Sequence, residues 1–149
     1  MGIKRIGKHL VEHHWRVRRI FPPAVLASIE QATRSGEATH SGQVRFVVEG
    51  ALDIFAQLRI WDTAHNNGVL IYLLLADRQV EIIADRGIDA HVGAAGWAKI
   101  CADMEVDFKA GNFESGVIKG IDAVSRQLAK YFPPHAGDRN ELPDAPVVI

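Results

Sequence analysis

Five oxygen-bearing residues could share one piece of chemistry: Asp62, Asn66, Asn67, Asp85 and Asp89. Calcium and magnesium are hard cations that want several oxygen ligands, and calcium accepts irregular mixtures of carboxylates and amide carbonyls. Three carboxylates with two neutral amides therefore suit calcium better than magnesium, in a weak site. Asn and Asp are also common turn formers at strand ends, so both readings stay open at this point. A second acidic set, Glu49, Asp77, Asp107 and Glu114, has Arg78 and Asn112 in its company. It fits either a second-choice cation site or a surface ion-pair network.

Other chemistries find less support. Asp62-x-x-His65 and His13-His14 offer metal ligands, but no further Cys or His joins them at zinc spacing. Cys101 sits close to Asp103 and Glu105, the wrong sign for an activated thiolate, and reads as a small buried apolar residue. There is no phosphate-cradling glycine loop and no Gly-x-Ser-x-Gly elbow. No nucleotide or organic cofactor is expected, and cleavage of a phosphate ester would have to rely on a metal.

The elements around these residues follow from hydrophobic period. Residues 3–20 read as a basic amphipathic helix, with Ile3, Ile6, Leu10, Val17 and Ile20 at helical spacing. Phe21-Pro22-Pro23 breaks it and starts a new helix that runs to about Arg34, closed by Ser35-Gly36. Gln43 to Glu49 alternates as a strand, and residues 51–62 read as a helix through Leu52, Phe55 and Leu58. Gly68 to Ala76 is an unbroken apolar run, expected for a strand buried on both faces. Asp77-Arg78 is too short a link to Gln79–Ala84 for anything but an antiparallel hairpin. Gly87 is expected to turn the chain back, bringing Asp89 toward the strand end. Helices through Trp97–Phe108 and Val117–Leu128 follow, and Pro133-Pro134 ends the second. The tail from His135 is polar and expected to be disordered, although Val147-Val148-Ile149 has the composition to pack on the body.

This pattern predicts an α/β fold: a small mixed sheet, β-α-β plus an antiparallel hairpin, flanked by helices, after an N-terminal amphipathic helix. If the strands at 43–49 and 68–76 are parallel, a right-handed crossover joins them. The hairpin then gathers His40, Ser41, Asp62, His65, Asn66, Asn67, Asp85, Arg86 and Asp89 at one rim. Glu49, Asp77, Arg78, Asp107, Asn112 and Glu114 gather at the opposite rim, where open α/β sheets commonly hold ligands.

Composition bounds the rest. The chain has 149 residues, 48% of them apolar and 23% charged, which suits one ordinary globular domain. Net charge is −1, so no general attraction to nucleic acid is expected. Residues 1–20 nevertheless carry six cations against Glu12 alone, a net +5. Three roles are open to that segment: docking its apolar stripe on the domain, lying on an anionic membrane surface or, last, binding nucleic acid. With only Trp15 and Phe21 as aromatics, nucleic acid is not expected there. A basic start without a following apolar core gives no secretory signal, so the cytoplasm is the expected location, with peripheral membrane contact as an option.

The fragments Ser41-Gly42-Gln43-Val44-Arg45, Asn67-Gly68-Val69-Leu70-Ile71, Asp77-Arg78 with Val80 and Ile82, Gly87, Phe108, Gly111-Asn112-Phe113 and Gly116 occur in a telling order. Over residues 22–132 the chain resembles the TPM domain family, known from thylakoid and photosystem-repair proteins, and looks like a bacterial stand-alone member. Residues 1–21 would be a basic helix and 133–149 a polar tail. The resemblance implies a mixed sheet flanked by helices, divalent-metal binding in some members and an acid phosphatase activity in a plant branch. The family commonly carries aspartate where Asn67 stands, a glycine-rich strand end where Asp85-Arg86 stands and glutamate where Gln43 stands. The expected function is an accessory or binding module that holds a divalent cation at a sheet rim and docks to a membrane surface or partner protein. The alternative is a weak metal-dependent phosphatase.

Overall fold

The nine-residue apolar run does become the centre of the sheet. In the computed structural model, which describes residues 16–49, 67–134 and 144–148, β1 (Gln43–Glu49) pairs in parallel with β2 (Gly68–Leu74), from Gln43 opposite Gly68 to Glu49 opposite Leu74. All of β2 but Leu74 is buried. Antiparallel β3 (Gln79–Ala84) lies on its other side, with Val69 opposite Ala84 and Leu74 opposite Gln79. The strand ends two residues earlier than the apolar run, because residues 75–78 all enter the turn. Arg78 takes φ 53° there, a left-handed conformation uncommon for a residue with a Cβ. Its guanidinium lies against the end of the next helix, donating to the carbonyls of Phe108 at 3.4 Å and Lys109 at 3.3 Å.

The described helices cover one face. α1 (Pro23–Glu37) begins at the second proline, whose fixed φ suits a first helical turn, and runs past Gly36. α2 (Arg86–Lys109) begins immediately after β3 rather than near Trp97. Gly87 is therefore helical, and the expected reversal there does not occur. The break comes at Gly93 instead, at φ 72° and ψ 169°, a combination that favours glycine. Past Lys109, Gly111 at φ 82° closes the helix, with Asn112 N–H donating to Asp107 O at 2.8 Å. α3 (Phe113–Tyr131) then buries Phe113, Val117, Ile121, Val124 and Leu128 at helical spacing and packs on both α1 and α2.

The main core joins these helices to Val44, Phe46, Val48, Val69, Ile71 and Leu73 of the sheet. Val17 and Phe21 belong to it, both almost fully buried, and Phe21 lies 6.1 Å from the rings of Phe46 and Phe113. The end of the basic segment is thus core, and removing residues 1–20 would take Val17 with it. Arg16, Arg18 and Arg19 stay exposed around it. On the other face of the sheet Val47, Leu70 and Tyr72 are buried beside Leu74, Ile83 and Val147.

The polar tail needs correction. Val147–Val148 forms a short β4, parallel to β1 with Val47 opposite Val147, so the sheet order is β3-β2-β1-β4. A two-residue strand has no period of its own to read; it takes its hydrogen bonds from an edge made elsewhere in the chain. The helix expected at 51–62, like most of the segment 3–20, lies outside the described residues.

Candidate functional site

The short hairpin puts the end of β3 beside the start of β2, and there the first rim forms. Asp85 and Gly68 are bonded twice: Asp85 N–H donates to Gly68 O at 2.9 Å, and Gly68 N–H donates to Asp85 Oδ2 at 3.0 Å. Asp85 is buried, with 6% of its surface exposed, and is also the residue from which α2 starts. Next to Gly68, Asn67 is 1% exposed. Its Nδ2 donates to Ser41 O at 3.3 Å and its carbonyl accepts from Gln43 N–H at 3.3 Å, which ties the starts of β1 and β2 together. Asp89 is exposed on the first turn of α2, and its Oδ1 accepts from Trp97 Nε1 at 2.8 Å, across the Gly93 break. Arg86 is exposed. Asp62, His65 and Asn66 lie outside the described residues.

This rim is backed by a neutral histidine. Gly42 N–H donates to His40 Nδ1 at 3.1 Å, so the ring proton sits on Nε2, which faces Ser125 Oγ at 3.3 Å. Burial disfavours the charged ring and pushes His40 down to about 4. Ser41 donates from both N–H (2.8 Å) and Oγ (3.2 Å) to Phe132 O, fixing the end of α3. Beside it His91 stacks on Tyr131 at 4.2 Å. The expectation that His40 and Ser41 stand at this rim holds; their partners Ser125 and Phe132, more than 80 residues away, leave no local signal in the sequence.

The opposite rim is different in kind. Asp77 is exposed in the turn, Glu114 is exposed in the first turn of α3, and Asp107 is paired with Lys119 at 3.1 Å. Arg78 is engaged by helix-end carbonyls and lies 5.7 Å from the Phe113 ring. For Glu49 only the backbone is described. Two open grooves border this rim, of about 740 Å³ (Ile20, Val25, Asn112, Phe113, Glu114) and 450 Å³ (Met104, Val106, Asp107, Lys119). Neither reaches Asn67 or Asp85. Among the described residues no three His, Cys, Asp or Glu side chains stand close enough to hold a metal ion. The carboxylate of Asp85 and the amide oxygen of Asn67 are the kind of donors that a hard cation takes. Burial raises the Cys101 thiol, and Glu105 adds to the effect, which disfavours the thiolate.

A mixed sheet with the described helices packed on one face, and a polar strand-end rim beside a short hairpin, defines an α/β domain of a particular class. The TPM domain family matches residues 18–127, and the chain belongs to that family. Among solved structures it is similar to the BA42 protein of the psychrophilic bacterium Bizionia argentinensis, with 32% identity and a TM-score of 0.74, covering 85% of this chain and 93% of that one. It shares its fold with the N-terminal domain of a P. gingivalis protein, at 20% identity and a TM-score of 0.57, covering 70% and 76%. No curated protein matches the chain. No helix among the described residues is long and apolar enough to cross a membrane.

Proposed function

We propose that this chain is a TPM-type binding module that takes a divalent cation, calcium in preference to magnesium, at the rim of Asn67 and Asp85. The basic segment 3–20 would meet an anionic membrane surface or a partner protein. The observation that supports the cation site is Asp85: a buried carboxylate, held at a strand end by the backbone N–H of Gly68, the residue that follows buried Asn67. Asp89, one helical turn on, is a further oxygen donor, while Asp62 and Asn66 belong to the segment that enters β2. The exposed arginines at 16, 18 and 19 around a buried Val17 support the basic surface. Each such cation contributes about 1 kcal/mol toward an anionic lipid surface.

Two experiments test these parts. Calcium titration followed by backbone NMR should move the amides of 67–68 and 85–89 first; shifts centred instead on Asp77 and Glu114 would transfer the site to the other rim. Cosedimentation with vesicles containing phosphatidylserine should weaken when Arg16, Arg18 and Arg19 become Gln, and vesicle binding unaffected by charge removal would end the membrane reading. A phosphatase would need the same ion. Metal-dependent turnover of a phosphate ester, lost in Asp85→Ala, would replace the binding reading with the enzymatic one.

A further inference from the structure

We infer that the first turns of α2, residues 86–92, form a hinged arm that opens at Gly93. The hydrogen bond between Asp89 and Trp97 and the stack of His91 on Tyr131 latch it shut. In a straight α-helix, residues eight apart are separated by about 12 Å along the axis. Asp89 Oδ1 nevertheless accepts from Trp97 Nε1 at 2.8 Å, a gap that the break at Gly93 closes with its φ of 72° and ψ of 169°. Gly96 makes room for the approach: a Cβ there would stand 2.6 Å from Val92 Cγ1, so the last residue of the arm rests on the segment that follows. A Cβ at Gly93 itself would meet nothing within 4 Å, so glycine is needed there for its dihedrals alone.

The two parts of α2 are fastened very differently. Beyond the break, Trp97, Ile100, Met104 and Phe108 are all buried in the main core. In the arm only Ile88 is buried there, with Val92 packed partly against it. Arg86, Asp89, Ala90 and His91 are exposed. The His91 ring lies on Tyr131, near the end of α3, at 4.2 Å with the planes 10° apart. Segments with few buried contacts open locally without unfolding the rest, and hinges are a few residues that absorb the change in dihedrals. Gly93 already stands outside the helical region, so rotation there breaks no further helix. Opening would part Asp89 from Trp97 and uncover an indole that is 7% exposed when the arm is shut. It would also loosen the bond from Asp89 N–H to Asp85 O, 2.9 Å long, which ties the arm to the first rim. The arm thus governs how firmly that rim is held, with or without a bound cation.

Native-state hydrogen exchange on the full chain tests the arm. The amides of 89–92 and the Trp97 indole N–H should exchange in one step, with protection about tenfold or more below that of the amides of 100–108. Asp89→Ala and His91→Ala each remove an exposed side chain, so the fold persists. Each should speed exchange in 89–92 several-fold and leave 100–108 unchanged. Equal protection of 89–92 and 100–108 in the wild type would overturn the hinge. Exchange in both variants that is no faster in the arm, or faster throughout α2, would overturn the latch.

Discussion

At one rim of the sheet the carboxylate of Asp85 is buried and held by the N–H of Gly68, with buried Asn67 and His40 behind it. At the other, Asp77 and Glu114 face solvent and Asp107 is matched by Lys119. The two rims have similar residue types, and by sequence alone they are rival cation sites. Burial separates them. An exposed ion pair contributes about 0–1 kcal/mol because water serves either charge nearly as well. A buried carboxylate has surrendered its water and depends on each donor that the fold supplies. The first rim is therefore a place where the fold fixes a charge, and the second a place where surface charges settle against a helix end.

The strand that joins the rims should dominate both. Leu73→Ala is expected to cost about 2–5 kcal/mol, read as a shift in denaturant midpoint with unchanged slope. A loss well under 1 kcal/mol would mean that β2 is not the shared support.

Acid should act on the first rim. His40 is lowered from 6.5 to about 4, so its contribution is fully present above pH 6.5 and is lost as pH falls through about 4. The effect should be on the order of 3 kcal/mol. Glu37 has the opposite sign: raised from 4.5 to about 8, it contributes fully below pH 4.5 and less as pH rises through 8. Between pH 4.5 and 6.5 the two trends oppose each other, so stability should be flattest there and fall on either side. His40→Gln should remove the acid limb and Glu37→Gln the alkaline one. An acid limb that survives in His40→Gln would assign it to other groups.

Direct comparison of the rims predicts smaller effects. Asp85→Ala strands the N–H of Gly68 and should cost about 1–3 kcal/mol. Asp77→Ala, an exposed turn residue, should stay within about 0.5 kcal/mol. Lys119→Met should cost less than about 1 kcal/mol and the cost should shrink further in high salt. Equal losses for Asp85→Ala and Asp77→Ala would erase the distinction between the rims.

What could be read in the sequence depended on how local the signal was. The apolar run at 68–76 and the helical stripe of Val117, Ile121, Val124 and Leu128 are periodic within their own segments, and both elements appear. The Asn67–Asp85 end of the sheet was legible because the hairpin connecting β2 and β3 is short. Gly87 and Gly93 look alike in sequence, yet only Gly93 takes the positive φ, so the reversal expected at Gly87 is a helical turn and the break lies six residues later. β4 and the His40–Ser125 pair depend on partners about 100 and 85 residues away, beyond any window of local period.

Whether the Asp85 rim takes a cation, as proposed, is tested most directly by a thermal melt. Wild type and Asp85→Asn should be compared with calcium and with chelator; the Asn side chain can still accept from Gly68 N–H, so the fold persists and only the charge is removed. At a hundredfold excess over the dissociation constant, binding stabilises a protein by about 2.7 kcal/mol, or roughly 5–10 °C for a chain of this size. The wild type should show that rise in millimolar calcium, and Asp85→Asn should show little of it. A wild-type melting temperature that does not move between chelator and millimolar calcium would contradict the account.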